Sequence, residues 1–170
     1  MPGEFYFMAL CGLGVSLAGF AGLIAALHRS PVASWPVTAW RLRNIVVGSF
    51  LVTFAGFGAV ALYALTEGNG ALTARLVSAL IALVHMVRLR ESRPGPEWPS
   101  ETSRRYAFAF LAAETLVLIA NVYFGSLSLL QVLLLVEISG PISIFVNTVR
   151  DLARGPAPAG DDAKLGKSEE

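Results

Sequence analysis

Five long apolar runs constrain this chain more than any other feature of its sequence. They cover residues 5–27, 45–65, 71–87, 106–124 and 127–149. A helix rises about 1.5 Å per residue, so runs of this length are about long enough to cross a bilayer core of roughly 30 Å. Charged residues make up 15% of the chain, well below the roughly 25% of a soluble domain. We therefore predict an all-α integral membrane bundle of five transmembrane helices over residues 1–154.

The segments between the runs have the composition of turns and membrane interfaces. Pro31 and Pro36 are expected to break helix between the first two runs, and Trp40 there suits an interfacial belt. The third run is the shortest and begins near Arg75, whose long side chain can extend to the headgroups. Residues 155–170 are polar without apolar periodicity, so we predict a disordered tail.

The arginines predict the orientation of the bundle. With five spans, ten arginines fall on one side: Arg29, Arg41, Arg43, Arg88, Arg90, Arg93, Arg104, Arg105, Arg150 and Arg154. The opposite side has Arg75 alone. Because basic loops stay in the cytoplasm, we predict an N-terminus outside and a C-terminus inside a cell inner (plasma) membrane.

Two glutamates in the last two runs are the first candidates for a functional site. Glu114 lies ten residues before Phe124, and Glu137 lies ten residues after Leu127. In a tight antiparallel hairpin both would stand about 15 Å from the outer end, near the bilayer midplane. An ionisable group at that depth indicates function by default. If the two carboxylates meet, the pair is expected to hold at least one proton near neutral pH, but their spacing does not fix whether they face each other.

Other residues of the same hairpin extend this candidate ion, proton or docking site. They are Asn121, Gln131, Ser139, Gly140 and Pro141. Asn121 and Gln131 match in depth by the same count, each about a turn below the outer surface. Proline lacks an N–H, so the step at Pro141 should kink or open the helix and release carbonyls for a cation or water. Ser143 and Asn147 could extend a hydrated path from the midplane toward the cytoplasm.

No cofactor, metal or catalytic residue is expected. His28 and His85 end the first and third runs on the same side, where bis-histidine haem is the alternative interpretation. A histidine near the interface needs no cofactor, however, because its polar tip can reach water. The single cysteine, Cys11, excludes an internal disulfide, and zinc-hydrolase and phosphate-loop motifs are absent. We therefore expect a protein that is not an enzyme and does not bind nucleic acid.

The first run contains a ladder of small residues at every fourth position: Gly14, Ala18, Gly22 and Ala26. Small residues let membrane helices approach closely, so this ladder predicts a helix-packing face. Packing inside the monomer and a dimer face are both compatible with it.

The stretch from Gly14 to Leu23, followed by Arg29 and the Arg41-Leu42-Arg43 step, resembles the opening of many small bacterial membrane proteins with no assigned function. The resemblance covers about the first third of the chain and implies a bacterial inner-membrane protein. It implies no activity or ligand.

Two functions fit these features. The first is a non-catalytic membrane subunit or assembly factor, which docks a membrane-protein partner or a second copy through polar and small-residue helix faces within the lipid bilayer. The second is a transporter that conducts or couples protons or cations through the glutamate pair.

Overall fold

The computed structural model describes residues 1–27, 35–91, 98 and 100–154. These residues form five helices and no strand: α1 (Glu4–Leu27), α2 (Trp35–Leu65), α3 (Gly70–Glu91), α4 (Glu101–Phe124) and α5 (Leu127–Arg154). All five are long and apolar enough to cross a membrane. The predicted all-α architecture with five helices is therefore confirmed. His28, Pro31 and the predicted tail, residues 155–170, lie outside the described residues.

The helix α2 begins ten residues before the apolar run that predicted it. Pro36 was expected to break helix, but it occupies the first turn of α2. The first N–H groups of a helix have no partner within the helix, so a proline there costs no hydrogen bond. Trp40 therefore lies within α2 instead of in a connecting loop, and its ring contacts Trp98 at 4.6 Å between centroids.

Two short turns join the helices at the end opposite the arginine clusters. The Asn69 side chain accepts a hydrogen bond from the Leu72 N–H at 3.0 Å, which caps the start of α3. Between α4 and α5, Gly125 adopts a left-handed conformation with φ 65°, and its N–H donates to the Asn121 carbonyl. The Arg75 guanidinium donates to the Tyr123 carbonyl at 3.1 Å, which satisfies another carbonyl at the end of α4.

The helices pack in two groups. In the first group, α2 packs against both α1 and α5. The second group is the pair of α3 and α4, which pack mainly on each other. Although α4 and α5 are joined by a two-residue turn, they make few contacts with each other. The tight α4–α5 hairpin assumed in the sequence analysis is therefore not formed, and a cleft lies between the groups.

The packing face of α1 does not follow the ladder of small residues. Its buried positions have the three- and four-residue spacing of one helix face: Phe7, Leu10, Cys11, Gly14, Leu17 and Ala21. Gly14 lies against the Ser49 backbone of α2, whereas Gly22 and Ala26 are exposed. A step of four residues rotates about 40° beyond a full turn, so the ladder drifts off the buried face.

The helix α5 continues without interruption through Pro141. The sequence predicted that it kinks or opens there, and it does not open. The Pro141 ring lies against Gly48 of α2, where an added Cβ would be 2.6 Å from the proline Cγ. The absence of a side chain at Gly48 therefore lets α2 and α5 approach closely at this level.

Candidate functional site

The two glutamates meet inside the bundle, at the cleft between the helix groups. Glu114 of α4 and Glu137 of α5 are each 6% exposed, and His85 of α3 is completely buried beside them. One ligand atom from each of the three residues lies within 4.8 Å of the other two. The two carboxyl groups are within reach of a hydrogen bond when one of them is protonated. The site thus combines residues from three helices.

Each oxygen of Glu137 contacts a different basic side chain from α3. Its Oε2 lies 3.0 Å from Nε2 of His85, and its Oε1 accepts a hydrogen bond from the Arg88 guanidinium at 3.3 Å. Arg88 also donates to the side-chain oxygen of Asn44 on α2 at 3.5 Å. Residues 85 and 88 are three apart on one helix, so they share a face and reach the same carboxylate. Glu137 is therefore the centre of the cluster.

His85 has an unsatisfied imidazole. Neither ring nitrogen has a hydrogen-bond partner among the described residues. Nε2 lies 3.0 Å from Oε2 of Glu137, within the distance of an ion pair, but the contact does not have the geometry of a hydrogen bond. A buried polar group in this state costs about 1–3 kcal/mol, which calls for an explanation at a functional site.

A cavity of about 350 Å³ leads to the glutamates from the end of the bundle that contains the arginine clusters. Its polar lining consists of Arg43, Asn44, Arg88, Arg104, Glu114 and Glu137. Its apolar walls include Phe108 and Leu111 of α4 and Ile144 of α5. The helices α4 and α5 separate beyond their turn, and the space between them gives access to the carboxylates of Glu114 and Glu137.

A second cavity adjoins the first along the same cleft. It is bounded by Ser143, Asn147 and Arg150 of α5, and it shares Trp40, Trp98, Ala107 and Ile144 with the first cavity. Ser143 and Asn147 are the residues expected to extend a hydrated path toward the cytoplasm. They line this space, although the existence of a water-filled path stays a prediction.

Asn121 and Gln131, which match in depth, lie apart from the glutamates and from each other. The Asn121 amide donates to Ser78 at 2.9 Å, and its oxygen accepts from the Ser126 N–H at 3.0 Å. The Gln131 side chain lies against Gly3. Asn121 therefore stabilises the α4–α5 turn, and the Gln131 side chain lies beside the N-terminal end of α1.

The residues around the proline divide between the site and the surface. Gly140 and Pro141 line the first cavity. Ser139 is exposed, and its hydroxyl donates to the Val136 carbonyl at 2.6 Å. Since Pro141 has no N–H, it cannot donate to the carbonyl of Glu137, four residues earlier. The backbone carbonyl of Glu137 is therefore left without the hydrogen-bond donor that it would have in a regular helix.

His85, Arg88 and Asn44 were not predicted from the sequence as members of this site. His85 and Arg88 lie at the end of an apolar run. A polar residue is not unusual there, because its side chain can reach the membrane interface. A sequence signal did exist, because the three-residue spacing of His85 and Arg88 places both on one helix face. Their convergence with Glu137, however, depends on how three helices rotate, which no local pattern gives.

Comparisons with protein-family models, with curated proteins and with solved structures find no match to this chain. The interpretation of the site therefore rests on its own geometry and chemistry.

Proposed function

We propose that this protein is a small multi-pass membrane transporter that binds a proton or cation at the Glu114–Glu137 pair and moves it through the bundle. The main support is the convergence of His85 with two buried carboxylates that line a cavity. Structural polar contacts between membrane helices rarely require a cluster of four ionisable groups. Such groups inside a membrane mark ion and proton pathways.

The charge of the cluster favours a positively charged cargo. Glu114 and Glu137 together contribute two negative charges when both are ionised, and Arg88 supplies one positive charge against them. These three charges leave one net negative charge in a low-dielectric environment, where it is costly. One bound proton or one monovalent cation neutralises the cluster, so occupancy by a cargo ion is stabilised.

The division of the bundle into two groups supplies a route for alternating access. Glu137 belongs to the group of α1, α2 and α5, while Glu114, His85 and Arg88 belong to the pair of α3 and α4. Rocking of one group against the other around a fixed site is how many transporters expose an ion to each side in turn. The site lies at the boundary where such a motion would act.

The test is ion flux through the purified protein reconstituted in liposomes. A pH-sensitive dye inside the vesicles reports protons, and ion-selective dyes report cations. We expect Glu114→Gln and Glu137→Gln to reduce flux at least about tenfold, the effect typical of removing an essential proton-transfer group. Glu67→Gln changes an exposed glutamate in the α2–α3 turn and should leave flux unchanged.

A second pair of variants leaves the glutamates in place. Ala107 lines both cavities, whereas Ala109 is exposed on the same helix and lines neither. Ala107→Trp should block the cleft and abolish flux, and Ala109→Trp should not. Wild-type vesicles that pass no proton or cation above the protein-free background would refute the proposal.

We also propose that the membrane is a bacterial inner membrane and that the cavity opens to the cytoplasm. Eight of the ten arginines lie in the described residues, at one end of the bundle, and they support this orientation by the positive-inside rule. Arg43, Arg88 and Arg104 lie at the cavity itself, so the entrance is on that same side.

Docking of a membrane partner is a second candidate function. Its support is the face of α1 with Gly12, Gly19 and Gly22, where an added Cβ would meet no described residue within 4 Å. Small residues left open in this way allow a further helix to approach. Purification in mild detergent tests it: a stoichiometric different partner supports docking, and a second copy of this chain supports a homo-oligomer.

A further inference from the structure

We propose that His85, Glu114 and Glu137 form a binding site for a divalent transition-metal ion. This inference deepens the proposed function, on which it rests for the claim that the ion is cargo. The binding itself is a separate property of the three side chains. One imidazole nitrogen and two carboxylates are donors that Zn²⁺, Mn²⁺ and Fe²⁺ accept, whereas Mg²⁺ and Ca²⁺ prefer oxygen donors alone.

The geometry of the donors suits one ion. Ligand atoms bound at about 2.0–2.2 Å from a tetrahedral metal ion lie roughly 3.3–3.6 Å apart. The three donor atoms already lie within 4.8 Å of one another. Small side-chain movements would therefore complete a three-ligand sphere.

The unsatisfied imidazole is the independent observation. His85 is completely buried, and both of its nitrogens are without a hydrogen-bond partner among the described residues. Its Nε2 is 3.0 Å from a Glu137 oxygen yet does not donate to it. A metal ion placed between donors of this kind satisfies the nitrogen lone pair and the oxygen at once.

The first cavity and the Arg88 side chain both affect how an ion would bind at this site. The first cavity reaches Glu114 and Glu137, which gives an ion an entry path and leaves room for water as an additional ligand. Arg88 contacts the other oxygen of Glu137, so it holds that carboxylate in place and opposes the charge of the ion. With Arg88 present, a divalent ion changes the cluster from one net negative charge to one net positive charge. We therefore infer an exchangeable site of moderate affinity, as cargo release requires.

The test measures metal binding by the full-length protein in detergent, after chelator treatment, by equilibrium dialysis against Mn²⁺ or Zn²⁺ with excess Mg²⁺. We expect one ion per chain. His85→Ala should weaken binding at least about tenfold, an effect within the range of typical metal-site losses. His28→Ala, which removes the chain's other histidine, should leave the affinity unchanged.

Arg88→Gln keeps the inference testable if the His85 variant fails to fold. Removing the opposing charge should tighten Mn²⁺ binding about tenfold or more, and misfolding cannot produce a gain of affinity. Absence of stoichiometric binding, equal competition by Mg²⁺, or unchanged affinity in the His85 variant would each overturn the metal site. Proton flux without metal binding would overturn this inference alone, and metal binding without flux would overturn the transport proposal alone.

Discussion

At the residue scale, the proposed function depends on how Glu137 is partnered. Its two oxygens contact His85 at 3.0 Å and Arg88 at 3.3 Å, and Glu114 stands across the cleft. Isolated carboxylates are too costly to bury, but a carboxylate with a guanidinium on one oxygen can remain ionised in a dry environment. Arg88 therefore allows Glu137 to be both buried and available to an ion.

The contact between Arg88 and Glu137 predicts a measurable coupling. Arg88→Met should lower the free energy of unfolding by about 1–3 kcal/mol, because it leaves a buried carboxylate without its donor. Adding Glu137→Gln should recover part of this loss, since the neutral amide needs no counter-charge. Denaturant unfolding of the two single variants and the double variant gives the coupling free energy. Arg43→Met, at an exposed position of the same cavity, is the control, and additive losses in the cycle would contradict the pairing.

At the element scale, glycine positions decide which helices approach closely. Gly48, Gly56 and Gly14 each face a neighbouring helix at a distance too short for a side chain. Gly48 receives the Pro141 ring, so this contact fixes α5 against α2 one turn after Glu137. The carboxylate is thereby held at the level of the cavity by packing as well as by Arg88.

Gly48→Ala should destabilise the bundle by about 1–3 kcal/mol, because the new methyl group overlaps a proline ring that cannot rotate away. The added Cβ would lie 2.6 Å from Pro141 Cγ, whereas at Gly58 of the same helix it meets nothing within 4 Å. Gly58→Ala is thus a matched control and should be neutral or slightly stabilising, since alanine is the better helix former. The midpoint of thermal unfolding in detergent compares them, and equal effects at both glycines would exclude the close contact.

Much of this element-level structure could be predicted from the sequence, and the reasons are physical. Runs of about 20 apolar residues have few alternatives to membrane-spanning helices, so the five helices follow from length and composition. The common depth of Glu114 and Glu137 follows from counting residues to a short turn. Which faces meet does not follow, because helices in lipid have no hydrophobic driving force to orient them and pack through local shape. The role of Pro36 could not be predicted either, because it depends on where α2 begins. The role of His85 depends on which helices α3 contacts.

At the scale of the whole molecule, the site is where two helix groups face each other and not where one hairpin closes on itself. The buried apolar residues form one core with members from all five helices, and the ionisable residues lie where the three-helix group faces the two-helix group. The cavity leads from the arginine-rich end of the bundle to the two glutamates.

The orientation of the molecule can be tested with single cysteines in a Cys11→Ala background. Glu67→Cys lies in the exposed α2–α3 turn, and Arg105→Cys is exposed at the start of α4. A membrane-impermeant maleimide added to intact cells should label position 67 at once and position 105 only after the membrane is permeabilised.

The reverse labelling pattern would mean that the molecule has the opposite orientation and that its cavity opens to the outside. Labelling of both positions would mean that α3 does not cross the membrane, because only a crossing α3 separates these two residues. Since the arginines and the cavity entrance share one end, the same experiment determines from which side an ion reaches the glutamates.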